Sequence, residues 1–450
     1  MKKLAFVIPR MPWQYNPYSD PPLGLLQVAA VAKKEKKDQL EVQLLDLAHD
    51  ELSEADYFAM GGTTLEFPTI VETAEKIKKE FSNSKILAGG VHFDVFPKDY
   101  WEKEINKLPF DAIGLGEGEA NIIPILDYLE TNHEKKVFIQ HGPLLDLSAL
   151  PFPARELLDK NRYFKSSTFT DTRKSTGEGG SATIMASRGC PFDCSFCASP
   201  EIHQHELRFR NLDKIKEELI SLRKLYGVRD LRWQDDNFPL TLKKLKGLEY
   251  FLFENDFRYR SSLRVDEQSS NDYVLTQLWY SGCREVGFGL ESGEDSVLKL
   301  NQKETTVEQN EVAIRRAKDR GFLVRAFFMT GLPGETTSSG ERTAEFIERN
   351  WKNLNAVTLT NFIPLPGTDI YNNPEKYGIQ ILHKNWKKYN IAITRDFQEF
   401  PFVHKINGLS EEDMVQNLEI IKQEVFRRNL SNVSVYNDDW VGKPYKSPYL

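Results

Sequence analysis

The sequence predicts an α/β protein: a doubly wound, Rossmann-like domain over residues 1–145, a linker over 146–181, an open, partial (β/α)6 barrel over 182–375, and a small, mostly helical segment over 376–450 that caps the barrel. Three observations carry this expectation. Short apolar runs alternate with stretches whose apolar residues recur at helical spacing, the pattern of βαβ units with parallel strands. The proline-punctuated "LPFPARELLDKNRYF" and the polar, glycine-rich "KSSTFTDTRKSTGEGGS" interrupt the alternation once. Six strand-like segments follow the interruption, too few for a closed eight-unit barrel.

In the first domain "KLAFVIP" reads as a strand, "GLLQVAAVAKKEK" as a helix, and "EVQLLDLA" and "DYFAMGG" as strands. "TIVETAEKIKKEFS" follows as a helix, "KILAGGV" and "DAIGLGEG" as strands and "ANIIPILDYLE" as a helix. Ligands of such sheets sit beyond the carboxyl ends of the strands. Here those ends carry Gly61, Gly62, Thr63 and Thr64, then Gly89 and Gly90, then Gly114, Gly116 and Gly118. Turn chemistry explains any one of these glycines. Three such ends in one domain favour a bulky ligand lying against the backbone.

The barrel series begins with "ATIMAS" as a strand and "LDKIKEELISLRKLYG" as a helix. "DLRWQDD", "YRSSLRVD", "EVGFGLES", "LVRAFFMTGLP" and "AVTLTNFIPLPGT" supply five more strands. Between them "LKKLKGLEYFLFEN", "NDYVLTQLWYSG", "VEQNEVAIRRAKDRG" and "SGERTAEFIERNWK" read as helices. In the tail, "SEEDMVQNLEIIKQEVFRRN" is a helix that Ser410 can cap. Trp386, Tyr389, Phe397, Phe400, Phe402 and His404 read as core, or as a lid over a small molecule or peptide at the barrel mouth.

The 450 residues allow two or three domains, and the net charge of −7 is spread along the chain. That balance argues against nonspecific binding to a nucleic-acid backbone. "MKKLAFVIPRMPW" is broken by Pro9 and Arg10 and reads as a first strand rather than a signal peptide. No apolar run is long enough to span a membrane. Four cysteines without a secretory signal point to a reducing compartment, with the cytoplasm as the expectation.

"RGCPFDCSFCASP", residues 188–200, sets Cys190, Cys194 and Cys197 at C-x3-C-x2-C spacing. Structural zinc wants four closed ligands, so His203 or His205 would have to supply the fourth. A redox CxxC would use Cys194 and Cys197 and leave Cys190 idle. Three thiolates on one loop at a strand end suit a 4Fe-4S cluster with one iron free of protein, a place for a substrate to bind. Cys283, in "SGCRE", reads as a buried small hydrophobe.

With this loop directly after the first strand of a partial barrel, the sequence resembles the radical S-adenosylmethionine (SAM) superfamily. "RWQDDNF" at 232–238 resembles the strand end that receives the SAM amino group, and "GCREVGFGLESGEDSVLKLNQK" at 282–303 resembles the ribose and carboxylate region. "FFMTGLPGET" at 327–336 resembles the adenine-binding strand and "NFIPLPGT" at 361–368 the sixth strand. The resemblance implies a 4Fe-4S cluster on Cys190, Cys194 and Cys197, with SAM chelating the open iron. The reduced cluster would split a carbon–sulfur bond of SAM, giving methionine and the 5'-deoxyadenosyl radical. It implies SAM contacts from Phe196 and Gln234, with Asp235 and Asp236 near the amino group. Arg264, Glu291 and Ser292 would lie near the ribose and amino acid, Lys303 near the carboxylate, and Met329 and Gly331 behind the adenine. An external electron donor of the flavodoxin or ferredoxin type is implied too. Taken alone, Glu291 or Lys303 reads equally as a surface ion pair.

"PPLGLLQVAAVAKK" at 21–34, "LAGGVHFDVFP" at 87–97 and "DAIGLGEGEANI" at 111–122 resemble segments of the cobalamin-binding class of that superfamily. The resemblance implies cobalamin over the strand ends, against Gly24, Thr63, Thr64, Gly89, Gly90, Val91, Gly116, Glu117 and Gly118. The D-x-H-x-x-G element of other cobalamin enzymes is absent. In "DLAHDE" Asp46 and His49 are spaced differently, so His49 reads as a surface histidine, with His92 a second candidate for cobalt. No cysteine precedes Cys190, which excludes the second cluster of the methylthiotransferase branch. The expectation is methyl transfer from SAM, through methylcobalamin, to an unactivated carbon of a small molecule or peptide. Cyclisation, ring contraction or rearrangement with the same cofactors is one alternative, and a non-enzymatic metal- or cobalamin-sensing module is another.

Overall fold

Two β/α series form two units, Met1–Tyr163 and Phe164–Leu450. The computed structural model describes residues 1–11, 21–140, 142–164, 180–266, 270–389, 393–394, 401–428, 430 and 435–436.

The first unit runs β1 (Lys2–Ile8), α1 (Leu23–Glu35), β2 (Leu40–Asp46), β3 (Tyr57–Gly61), α2 (Phe67–Glu80), β4 (Lys85–Gly89), α3 (Val91–Asp94), α4 (Lys98–Glu104), β5 (Ala112–Leu115), α5 (Gly118–Thr131), β6 (Lys136–Ile139) and α6 (Lys160–Tyr163). Its six strands are all parallel, in the order β2-β1-β3-β4-β5-β6. Leu4, Phe6, Tyr57, Ala59, Leu87 and Ala112 pack on one face against Ala29, Ala32, Ile122 and Leu126 of α1 and α5. Phe58 faces the other way, its ring 5.9 Å from that of Phe81 after α2. Covering both faces is what near-continuous apolar strands require. β6 was not expected: four residues after a charged run are too short to stand out. Residues 150–163, which read as linker, instead pack on this unit: Ala154 joins its core, and the Tyr163 hydroxyl donates to Asp46 at 2.5 Å. The polar half of the expected linker, 165–179, lies outside the described residues.

The second unit runs β7 (Gly180–Ile184), β8 (Ser187–Arg188), α7 (Ser199–Ile202), β9 (Arg208–Phe209), α8 (Leu212–Tyr226), β10 (Val228–Trp233), α9 (Phe238–Lys244), α10 (Leu248–Glu254), β11 (Arg258–Arg264), α11 (Asp272–Tyr280), β12 (Cys283–Glu291), α12 (Asp295–Leu300), α13 (Val307–Asp319), β13 (Leu323–Thr330), α14 (Ser339–Asn350) and β14 (Ala356–Asn361). β7 and β10 to β14 form one parallel sheet in sequential order, the half-barrel the sequence led us to expect. The single helix expected over "LKKLKGLEYFLFEN" is two, because Gly247 takes φ +92° between α9 and α10. Leu231, Trp233, Tyr259, Val286, Phe288, Val324 and Phe328 are buried toward the helices: Trp233 stacks on Phe238 of α9 at 4.3 Å and Phe328 meets Phe346 of α14 at 5.7 Å. The opposite face is charged, with Glu285 3.8 Å from Arg260 and 3.3 Å from Arg325. A closed barrel would fill that face with branched aliphatics.

The tail adds α15 (Asp369–Asn372), β15 (Ile379–Ile381), β16 (Ile393–Thr394), β17 (His404–Ile406) and α16 (Glu411–Arg427). Ser410 caps α16 as expected, in a reciprocal box with Asp413. Phe397 and Phe400 lie outside the described residues. Among the described residues no helix is long and apolar enough to cross a membrane.

Candidate active site

The cysteine loop leaves the carboxyl end of β7 and is fixed before its first cysteine. Asp235, just past β10, is buried, and its carboxylate accepts from the Ala186 N–H (3.1 Å), the Ser187 hydroxyl (2.5 Å) and the Thr241 hydroxyl (2.9 Å). Burial pushes this carboxyl up to about 6 despite those donors. Expected beside a ligand amino group, Asp235 is occupied in holding the loop. Its neighbour Asp236 is exposed, as is Gln234, and takes a hydrogen bond from Ser199 at 2.7 Å. Gly189 turns the chain into Cys190 with φ +96°, and a Cβ there would lie 2.1 Å from the Glu206 carbonyl oxygen. Gly189→Ala is therefore expected to cost about 2 kcal/mol, from left-handed backbone strain plus displacement of the loop. Thermal unfolding together with iron content checks it.

Beyond the turn, the Ser195 N–H donates to Asn301 O (3.2 Å) and Ser195 O accepts from the Ile370 N–H (3.2 Å). Burial pushes the Cys190 thiol up and the Cys197 thiol to about 12. His205 sits between Asp193 (3.3 Å) and Glu201 (3.4 Å) with its side chain 58% exposed. Among the described residues no three His, Cys, Asp or Glu side chains are arranged around a single ion. Three thiols on one loop are the donor set of a 4Fe-4S cluster with one iron free of protein, whereas closed tetrahedral zinc needs a fourth ligand.

Two strand ends and the loop after α12 bring the remaining charges to this loop. Arg264, the last residue of β11, is buried, with Nη1 2.7 Å from Cys194 Sγ and its guanidinium 4.2 Å from the centre of the Phe192 ring. Glu291 ends β12 at φ +64°, where the register with β13 shifts between Gly289 and Glu291. The bulge re-aims its carboxylate, which meets Lys303 Nζ at 2.7 Å, both groups buried. Lys303 also lies 5.8 Å from the Phe196 ring. Lys303→Met is expected to destabilise the chain by about 3 kcal/mol, because it leaves Glu291 buried without its cation. Adding Glu291→Leu should recover most of that loss in urea unfolding.

Ser292 is buried with its hydroxyl accepting from the Glu294 N–H at 3.2 Å, so it serves the turn. Met329 lies across from Thr360 of β14. Gly331 is gripped from both sides: its N–H donates to Glu335 (2.9 Å) and its carbonyl accepts from His404 Nε2 (2.7 Å). Burial lifts Glu335 to about 7 and lowers His404 to about 4, so His404 is neutral and donates. Sequence reading missed Ser187, Thr241, Asn301 and Glu335, whose roles are hydrogen bonds to loop backbone or to Asp235 and leave no motif. Cys283 is wholly buried, as expected, its thiol pushed up by burial.

Residues 184–347 match the radical SAM superfamily. Those residues form a radical SAM domain. It is 26% identical over 400 residues to an uncharacterized methyltransferase of Pyrococcus horikoshii, covering 82% of this chain and 81% of that one. Against an anaerobic magnesium-protoporphyrin IX monomethyl ester cyclase of Synechocystis it is 25% identical over 334 residues, 69% of this chain and 64% of the relative. The radical SAM methyltransferase TsrM of Kitasatospora setae, solved with cobalamin and a 4Fe-4S cluster, shares its fold with a TM-score of 0.57 at 17% identity, over 84% and 80% of the two chains.

In the amino-terminal unit, Gly62, Gly89, Gly90, Val91, Gly116, Glu117 and Gly118 lie partly exposed at the ends of β3, β4 and β5, with Gly24 and Thr63 exposed. Gly90 takes φ +93°, and a Cβ there would lie 2.9 Å from the Gly62 nitrogen. The glycines thus let neighbouring strand ends touch, and the result is a shelf of bare backbone. Thr64 is buried against His92 Nδ1 at 3.1 Å. His92 sits among Phe67, Phe93, Phe96 and Trp101, lowered by burial to about 3, which makes it a core histidine and removes it as a candidate cobalt ligand. His49, expected at the surface, is 16% exposed, 3.6 Å from Asp46 and 3.4 Å from Asp50, on the wall of a cavity of about 410 Å³.

Proposed function

We propose that this protein is a cobalamin-dependent radical SAM methyltransferase acting on an unactivated carbon of a small molecule or peptide. The observation that carries the reading is the anchored loop of Cys190, Cys194 and Cys197, with Arg264 on the Cys194 sulfur and the Lys303–Glu291 pair beside it. When bound, a reduced 4Fe-4S cluster supplies the electron that cleaves SAM, and cobalamin supplies a carrier for the methyl group. The chain's own residues bind and orient. The three thiols would hold the cluster as thiolates. Asp236 and Gln234 offer exposed acceptors for an ammonium group, and Lys303 a cation for a carboxylate. Phe196, Met329 and Gly331 supply apolar and backbone surface for the nucleoside. Gly24, Thr63, Gly89, Gly90, Val91, Gly116, Glu117 and Gly118 supply the shelf for a corrin, and Thr64 supports it from below.

The cyclase relative favours a second reading, the same cofactors ending in ring closure. Anaerobic reconstitution, an optical spectrum for cobalamin and turnover with methyl-labelled SAM decide between them. A product heavier by one labelled methylene unit is the expected result. 5'-Deoxyadenosine without methyl gain supports cyclisation, and neither product would leave a binding module.

A further inference from the structure

We propose that Arg264 is a positioning residue for the Cys194 thiolate that raises the reduction potential of the cluster, rather than a ligand of SAM. The proposal rests on the reading that the cysteine loop holds a 4Fe-4S cluster. Arg264 is 7% exposed, and its guanidinium is fixed on three sides: Nη1 on Cys194 Sγ at 2.7 Å, Nη2 on the Lys303 carbonyl, and one face on Phe192 at 4.2 Å. Its two terminal nitrogens are thus already committed to the loop and to the residue after β12's helix, which leaves no fork for a ribose or a carboxylate.

The charge balance around the thiolates points the same way. Lys303 is neutralised by Glu291 at 2.7 Å. The carboxylate paired with Arg264 is Glu304, 72% exposed and 3.8 Å from Nη2, and Asp193 and Asp236 at the loop are exposed too, so water screens all three, while the buried Asp235 is taken up by its own three donors. Arg264 is therefore a buried cation beside the ligand sulfur whose ion-pair partner is an exposed, screened carboxylate. Reduction adds an electron to the cluster. A charged N–H donor on a ligating sulfur stabilises that added negative charge, and such outer contacts are among the levers that set cluster potentials.

The test is a potentiometric titration of the reconstituted full-length protein, read by the electron paramagnetic resonance signal of the reduced cluster. Arg264→Gln is expected to lower the reduced-to-oxidised ratio at fixed potential about tenfold, equivalent to about 59 mV for one electron. Arg264→Lys keeps a charge without the fork and should fall between the two. Pulsed resonance should also detect an exchangeable proton coupled to the wild-type cluster, weakened or lost in Arg264→Gln. Should Arg264→Gln fail to hold iron, the Arg264→Lys comparison and the exchangeable proton of the wild type still decide. Cluster-loaded variants with the wild-type potential, or a wild-type cluster without such a proton, would overturn the assignment while leaving the cluster intact. A wild-type chain that binds no cluster would instead sink the functional reading beneath it.

Discussion

Cys194→Ala is expected to abolish 5'-deoxyadenosine formation and to leave the reconstituted chain with little iron. Cys194 is the most buried of the three loop thiols, at 9% exposure, and its sulfur is the acceptor for Arg264. Its removal takes away one of three protein corners and leaves a buried guanidinium facing a methyl group. Losing an outer-shell partner of a metal site costs about 10–100-fold in affinity, and loss of a ligand itself must exceed that. Cys283→Ala is the matched control. That thiol is wholly buried on β12 and donates to the Glu285 carbonyl at 3.4 Å, so the change costs about 1 kcal/mol of packing and should leave iron content unchanged. Iron per chain and 5'-deoxyadenosine, measured side by side on both variants, check the pair. Turnover surviving in Cys194→Ala would remove the basis of the functional reading.

How much of this was legible in the sequence depends on whether a residue acts by type or by contact. The cysteine spacing survives as a motif because a cluster needs thiolates at fixed intervals on one loop. The alternation of strands and helices is legible because one face of a packed helix must be apolar and so must both faces of an inner strand of the first sheet, as Leu4 to Val7 are. Asp235 was found and its task was not: an acidic residue at a strand end looks the same whether it meets an ammonium or the backbone of Ala186. Ser187 and Thr241 were invisible because a hydroxyl that satisfies a buried carboxylate has no spacing rule. Gly90 was read as room for a ligand, whereas the nearest atom to its missing Cβ belongs to Gly62 on the next strand end. His92 follows two glycines at a strand end and so read as a second candidate for cobalt. The ring of Phe67, 4.1 Å away, shows that the short α3 turns it inward.

Asp235→Ala carries the second large effect, and its pH dependence separates a structural role from ligand binding. At neutral pH the substitution strands two buried donors, the Ala186 N–H and one hydroxyl, because Ser187 Oγ and Thr241 Oγ1 lie 3.1 Å apart and one can donate to the other. Each unsatisfied group costs about 1–3 kcal/mol. Against this, the variant no longer buries a carboxylate. That carboxyl titrates near 3.8 when unperturbed and at about 6 in the folded chain, a difference equivalent to about 3 kcal/mol at neutral pH. Unmade hydrogen bonds win, by about 1 kcal/mol near pH 7. The sign with pH follows from the raised folded value. Between pH 4 and 6 the folded wild type keeps a proton that the unfolded chain has released, so this contribution is full below the unfolded value and is lost as pH rises toward 6. The variant lacks the term, so the stability gap between wild type and Asp235→Ala should be widest at low pH and narrow toward neutrality. Asp94 and Glu335, both raised by burial to about 7, are present in both proteins and cancel in the difference. Urea unfolding of the iron-free proteins at pH 5 and pH 7.5 measures the gap. A gap that widened with pH would mean that the three donors outweigh burial and hold Asp235 as an anion. Because the same contacts set the start of the cysteine loop, Asp235→Ala should also reconstitute with less iron than wild type, even when excess SAM is present.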